Sequence, residues 1–298
     1  MNKTVNITIP IPDKVSFKET LTFLDRGFDE CLYFVSGGAV SRLLTFPDGD
    51  GIIRISQKAD VLQVELEKHQ VSDGDLERAR VFVTEWFDLN RNIDPFYKLL
   101  REHAVLSHFV KDYYGSRLVG IPDLYEAICW AIIGQQINLT FAHKVKRSLV
   151  EEYGEQKILA GRVYYAFPTP EVLAKACRVK LRELKLSRQK IEYLLIISKI
   201  FADGGMSKSI LRACESKQEK IAKLTEIKGI GLWTANYVLM KSMAEMSCIT
   251  YGDAGLNKAV NGLFYTGSKP GKDVIDEIFK DFAGWESYLN FYLWRSLE

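Results

Sequence analysis

Apolar and polar positions alternate through the first third of the chain. Val5-Asn6-Ile7-Thr8-Ile9 switches at every residue, the period of a strand with one buried face. Alternating or β-branched runs recur at 31–35, 39–46, 51–56 and 61–67, and Pro47-Asp48-Gly49-Asp50-Gly51 supplies a turn between two of them. Ser72-Asp73-Gly74-Asp75 then reads as a helix N-cap with an acid three residues on, ahead of a helical pattern to Phe87. Residues 1 to about 92 are predicted to form an α+β unit with a mostly antiparallel sheet.

From Asp94 onward the period lengthens and strands nearly vanish. Pro95 suits the first turn of a helix. Residues 124–153 carry a long helical pattern with a break expected near Gly134. Phe167-Pro168-Thr169-Pro170 is a loop that ends in a helix start, with Thr169 as cap, Pro170 at the first position and Glu171 on the dipole. Further helices are predicted at 187–201, 216–227, 232–243 and, rich in aromatics, 274–297. The expected fold class is α+β: an N-terminal antiparallel-sheet domain with helices, then an all-α core. No solenoid-type repeat or low-complexity tract is present.

Composition narrows the function classes. With 298 residues and 47% hydrophobic content, the chain has the size for more than one core. Forty Lys and Arg against 38 Asp and Glu leave a net charge of +2, which does not announce a nucleic-acid binder but permits one with local positive charge. No stretch is long and apolar enough to span a membrane, and Met1 to Pro10 lack the features of a signal peptide. Five scattered cysteines without a C-x-x-C argue against zinc or a cysteine-ligated cluster and for reduced thiols. His69, His103, His108 and His143 fit no metal spacing and no triad. The expectation is a cytoplasmic protein, nucleoid-associated in a bacterium, with no cofactor, no membrane association and a monomeric state.

Leu224 to Tyr237 reads L-T-E-I-K-G-I-G-L-W-T-A-N-Y. Gly229 and Gly231 form a tight turn between two helical patterns, and glycine there holds no side chain in front of a ligand. A helix opening at Leu232 offers unpaired N–H groups and the positive end of its dipole, enough to neutralise one phosphate without reading a base. Lys228 and Lys241 are candidates to add charge nearby. A lone G-I-G serves equally as a plain connection between helices. The longer pattern of Leu224, Ile227, Gly229-Ile230-Gly231 and Thr234-Ala235 resembles the helix-hairpin-helix motif of DNA repair proteins, with Lys228 where most members have proline.

Sixteen residues past Tyr237 stands Asp253, in I-T-Y-G-D, ahead of a helical run beginning at Ala254. An aspartate there can simply cap that helix. The helix-hairpin-helix DNA glycosylase superfamily carries its catalytic aspartate at this place, so the resemblance makes Asp253 the catalytic candidate. Its carboxylate would stabilise the positive charge that grows on deoxyribose as the base leaves, or position or deprotonate water. Bifunctional members carry a lysine nucleophile where this chain has Trp233, and an indole cannot form a Schiff base.

The chain is similar over nearly its full length to the 3-methyladenine DNA glycosylase II (AlkA) family. Trp86-Phe87-Asp88-Leu89 to Pro95-Phe96-Tyr97, Ala131-Ile132-Ile133-Gly134-Gln135-Gln136, Phe167-Pro168-Thr169-Pro170, the segment from Gly229 to Tyr237, and Trp285-Glu286-Ser287-Tyr288 carry that likeness. It implies an N-terminal domain (1–92) like half of TATA-binding protein. Two helical subdomains follow, one from 93–118 with 248–298 and one from 119–247 that holds the helix-hairpin-helix. A cleft lies between them. It also implies base flipping, a pocket lined by Trp233, Tyr237 and Phe23, and a DNA-binding set of Gln135, Gln136, Lys228, Gly229, Gly231 and Thr234. A monovalent cation on hairpin backbone carbonyls, with no side-chain ligand, is a further implication.

Electron-rich rings suit an alkylated purine, which carries positive charge; core packing is the competing reading of all three aromatics. The family's wedge leucine falls on Gln136, for which a buried structural glutamine is the competing reading. Ala254 stands where some members have tyrosine. The expected activity is a monofunctional DNA N-glycosylase acting on double-stranded DNA with damaged bases, removing purines of the 3-methyladenine and 7-methylguanine type. An oxidised-base glycosylase with lyase activity and a non-catalytic damage-binding protein are the alternatives.

Overall fold

The computed structural model describes residues 3–265 and 267–298. Strand β1 (Lys3–Pro10) is followed by helix α1 (Phe17–Leu24), strands β2 (Tyr33–Ser36), β3 (Ala39–Phe46), β4 (Gly49–Lys58) and β5 (Val61–Lys68), and helix α2 (Asp73–Trp86). The strands form one antiparallel sheet in the order β1-β5-β4-β3-β2. Period-2 alternation sends Leu62, Val64 and Leu66 inward from β5, and Ile53 and Ile55 from β4. Ser72 caps α2 as its sequence indicates: its hydroxyl accepts from the Asp75 amide, and the Asp75 carboxylate accepts from the Ser72 amide.

The remainder is mostly helical. It comprises α3 (Asp94–Glu102), α4 (Phe109–Asp112), α5 (Leu124–Gly134), α6 (Leu139–Tyr153), α7 (Pro170–Ala174), α8 (Arg178–Glu183), α9 (Arg188–Ala202), α10 (Lys208–Arg212), α11 (Lys217–Thr225), α12 (Leu232–Met243), α13 (Ala254–Phe264), α14 (Lys272–Phe279) and α15 (Glu286–Arg295). The expected break falls where α5 ends at Gly134, and Asn138 starts α6 by accepting from the Phe141 amide at 2.9 Å. Thr169 holds the cap position of α7, but its hydroxyl takes no capping bond.

The core is not purely α. Strands β6 (Gln156–Leu159) and β7 (Arg162–Tyr165) pair across Ala160-Gly161, both left-handed at φ 48° and 75°. This β-hairpin has a packing role. Leu43 and Ile52 face each other on the outer side of the N-terminal sheet and would be exposed there; Leu159, Tyr164 and Ala166 cover them. Tyr164 also meets Phe34 edge-on at 5.4 Å, and the Lys157 ammonium donates to the Asp50 carbonyl at 2.9 Å.

Several ion pairs cross the seam between sheet and helices. Arg42 of β3 pairs with Glu126 of α5, Glu30 with Lys146, Asp29 with Arg147, Glu19 with Arg295, and Glu85 with both Lys208 and Arg212. One apolar core runs through this seam, from Ile9 and Phe23 to Phe291 and Leu293. Helix α12 is central to it: Ala235, Val238, Leu239 and Met240 are all fully buried. Its exposed first turn therefore projects from a rigid support. Among the described residues, no helix is long and apolar enough to cross a membrane.

Candidate active site

The turn from α11 into α12 explains its two glycines differently. Gly229 has φ 99°, and a Cβ there would lie 2.4 Å from the Tyr193 ring, so only glycine fits. Gly231 is extended (φ −92°, ψ −179°), and a Cβ would meet nothing within 4 Å. Nothing within the protein crowds Gly231. It occupies the N-cap of α12 with no side-chain cap, leaving the first amides of the helix without a partner from that residue.

Gln135 ties this turn to the end of α5. Its amide nitrogen donates to the Gly229 carbonyl at 3.1 Å and to the Thr234 hydroxyl at 3.2 Å. Gln136, next in the chain, is exposed and left-handed at φ 58°, which excludes the reading of it as a buried structural glutamine. Gln135, Gln136, Lys190, Tyr193, Gly229 and Gly231 line an open cleft with no carboxylate among its lining residues. A bound anion would meet no like charge there. Two carbonyls at the turn are already engaged, Gly229 by Gln135 and Ile227 by the Ile230 amide, so a cation at this backbone would share them.

Of the two lysines, Lys241 departs from the expectation. Lys228 is exposed but pairs with Glu192 at 2.7 Å, so its charge is partly committed. Lys241 adds none at the turn. It sits two and a half helical turns along α12, buried, with its ammonium donating to the Val119 carbonyl and the Phe23 and Phe291 rings 5.4 and 5.7 Å away. Burial, helped by the Arg26 charge, pushes its pKa down to about 7. An unfolded lysine keeps its proton to about pH 10.4, so between those values the unfolded chain binds more protons and folded stability rises with pH. From about pH 7 to about pH 8 the rise is about 1 kcal/mol. Lys241→Met should remove it, as urea unfolding at the two pH values would show; an unchanged slope in that variant would assign the rise to another group.

Asp253 proves to be both cap and centre of a polar contact. Oδ1 accepts from the Leu256 amide at 2.8 Å, which starts α13, and from the Trp294 indole at 2.9 Å. Oδ2 accepts from the Trp233 indole at 3.2 Å. Trp233 and Tyr237, one turn apart on α12, stack at 5.4 Å and 17°, and Trp294 lies 6.1 Å from Tyr237. The Trp130 indole donates to the Tyr237 hydroxyl at 3.0 Å, and burial pushes that phenol well above its ordinary pKa. Four aromatic residues from three helices thus gather beside one carboxylate.

Trp130 and Trp294 were not anticipated from sequence. Phe23 packs differently from the expectation: its ring meets Phe291 edge-on at 5.0 Å and is covered by the Arg26 guanidinium at 3.9 Å. Lys241 and Arg295 also lie over that ring, and among the described residues no ring pairing joins Phe23 to the Trp233–Tyr237 stack. His143 stacks on Phe28 at 4.7 Å and 5°, and burial pushes its imidazole down to about 4. Among the described residues, no cluster of three or more His, Cys, Asp or Glu could hold a metal ion.

Comparison with known proteins bears on this geometry. The family model described as HhH-GPD superfamily base excision DNA repair protein matches residues 129–283, just over half of the chain. The chain belongs to the HhH-GPD superfamily. The matched span of this superfamily includes the glycine turn, Trp233, Tyr237 and Asp253. A second family model, 8-oxoguanine DNA glycosylase, N-terminal domain, matches residues 41–128. The DNA-3-methyladenine glycosylase of Bacillus subtilis (strain 168) is 33% identical over 98% of this chain and 97% of its own length. The DNA-3-methyladenine glycosylase 2 of Escherichia coli (strain K12) is 26% identical over 60% of each. Among solved structures, a 3-methyladenine DNA-glycosylase from Archaeoglobus fulgidus superposes with TM-score 0.82 at 24% identity over 97% of both chains. The α+β glycosylase fold and the likeness to the AlkA family are both borne out.

Proposed function

We propose that this HhH-GPD protein is a monofunctional DNA N-glycosylase that extrudes alkylated purines of the 3-methyladenine and 7-methylguanine type from double-stranded DNA and removes them by hydrolysis. The observation that carries the reading is the Asp253 carboxylate, fixed by the Trp233 and Trp294 indoles at the edge of an aromatic group, with no amine at the Trp233 position. The name of the Bacillus subtilis relative supports the substrate class.

In this reading the exposed start of α12 grips the backbone. Unpaired amides and the carboxylate-free cleft neutralise a phosphate without reading sequence. The glycosidic bond of a stacked base is out of reach, so the nucleotide must be turned out. Trp233 and Tyr237 then offer π-faces to a purine whose alkylation has made it cationic. As the bond from C1′ to the base breaks, its electrons pass to the base, which leaves neutral, and little acid catalysis is needed. Positive charge on the sugar is met by Asp253. Water adds at C1′ and loses a proton, giving free base and an abasic site in an unbroken strand.

The match to the 8-oxoguanine glycosylase N-terminal model keeps the oxidised-base reading in view. That match lies outside α12, and an indole at position 233 supplies no Schiff-base nucleophile. Duplexes carrying one defined lesion each separate the two. Free 3-methyladenine or 7-methylguanine is expected, with strand breaks only after alkali and no covalent adduct trapped by borohydride. Release of 8-oxoguanine with a trapped adduct, or no free base from any duplex, would overturn the assignment.

A further inference from the structure

We propose that Trp294 and Gly255 are positioning residues that hold the Asp253 carboxylate in its working orientation: the Trp294 indole N–H fixes the carboxylate, and Gly255 is a glycine so that the indole can reach it. This rests on the reading of Asp253 as the catalytic anion.

A helix cap alone needs only one carboxylate oxygen. Here Oδ1 accepts both the Leu256 amide at 2.8 Å and the Trp294 indole at 2.9 Å, while Oδ2 accepts the Trp233 indole at 3.2 Å. Indoles on two different helices, α12 and α15, therefore bracket the group and set the plane of the carboxylate. A shift of one ångström in a positioned group can cost about 100-fold in rate, so such a clamp has a kinetic consequence. Trp294 also lies 6.1 Å from Tyr237 and so links the aromatic wall to the anion.

Gly255 is the independent mark of this arrangement. It is the second residue of α13, where glycine is a poor helix former, and its backbone is not left-handed. No conformational demand selects it. A Cβ built there lies 3.1 Å from Asp253 Oδ1, 3.2 Å from Trp294 Cδ1 and 3.4 Å from Trp294 Nε1. A methyl group there requires the indole edge or the carboxylate to give by a few tenths of an ångström. The sequence forgoes helix propensity where a side chain would crowd this hydrogen bond from one side.

Three variants test the idea in single-turnover base release, DNA affinity and thermal melting. Trp294→Phe keeps an aromatic ring and loses the N–H; the rate should fall about 10- to 100-fold, the worth of a hydrogen bond to a charged group, with affinity for lesion-bearing duplex unchanged. Gly255→Ala should slow release by less than Trp294→Phe does, while the melting temperature stays near the parental value, since alanine's gain in helix propensity offsets the crowding. Asp253→Asn runs in parallel. If Asp253→Asn is inactive but Trp294→Phe and Gly255→Ala keep the parental rate, or if their losses lie in affinity or melting temperature, the positioning role is wrong and the function stands. If Asp253→Asn is fully active, the function falls first and the positioning role with it.

Discussion

Replacing Asp253 by asparagine is expected to slow base release by about 100- to 1,000-fold, the range measured when one preorganised electrostatic group is removed from an active site. Asparagine is as good an N-cap as aspartate, so α13 keeps its start: the amide oxygen can still accept from Leu256 and Trp294. The new NH2 then replaces Oδ2 and meets the Trp233 indole N–H, donor against donor. The variant therefore loses the negative charge and one of the two indole contacts while the fold survives. DNA affinity should hold, since the proposed grip is built from amides at the start of α12. The check is a single-turnover rate of base release beside an equilibrium binding curve and a melting curve. A parental rate would remove Asp253 from the chemistry. A fall of many degrees in melting temperature would assign the lost rate to the fold and not to the missing charge.

How far the sequence reveals this site depends on whether a residue's role is local. Alternation found the strands of the N-terminal sheet, and Ser72 with Asp75 marked the start of α2, because those signals involve neighbours in the chain. Asp253 and Trp233 stood out through their place relative to the glycine turn, and the structure brings them together at 3.2 Å. Trp294 reaches Asp253 from 41 residues away. Its surroundings, Phe291-Tyr292-Leu293-Trp294, read as an aromatic core stripe, and most of that stripe is core. Trp130 is hidden in the same way within the apolar run of α5. Gly255 carries no signal in the sequence, since its neighbour is a side chain from α15. The β6–β7 pair was missed because Ala160-Gly161 is a weaker turn signal than Asn-Gly, and because what it covers, Leu43 and Ile52, belongs to a distant strand pair. Lys241 carried the opposite error: lysine reads as surface charge, and only the packed fold shows an ammonium under aromatic rings.

Arg42→Ala is expected to cost about 3–5 kcal/mol at neutral pH, because it strands the buried Glu126 carboxylate. Arg42 occupies an inward position of β3 between Val40 and Leu44, where alternation predicts an apolar side chain. It is there to meet Glu126 in the first turn of α5, and it lies beside the Phe82 and Trp86 rings at 5.3 and 5.6 Å. Burial holds the Glu126 carboxyl above its ordinary pKa, and the Arg42 charge is the largest influence opposing that rise. An acid raised on folding favours the folded chain in its protonated form, and stability on its account falls as pH climbs through the folded value. Without Arg42 the folded value rises further. The deficit of the variant should thus be greatest at neutral pH and shrink on acidification, as paired urea titrations would show. Arg42→Met with Glu126→Leu should recover most of the loss, since an apolar pair of similar volume removes both buried charges. A deficit that ignores pH, or a double variant as weak as the single one, would assign the cost to lost packing on Phe82 and Trp86. Glu126 lies one turn before Trp130 on α5, and the Trp130 indole holds the Tyr237 hydroxyl at 3.0 Å. The ion pair that joins sheet to helices therefore also anchors the helix that steadies the aromatic wall. Arg42→Ala should loosen that wall before the fold gives way, so base release in the variant should decline at temperatures below its melting transition.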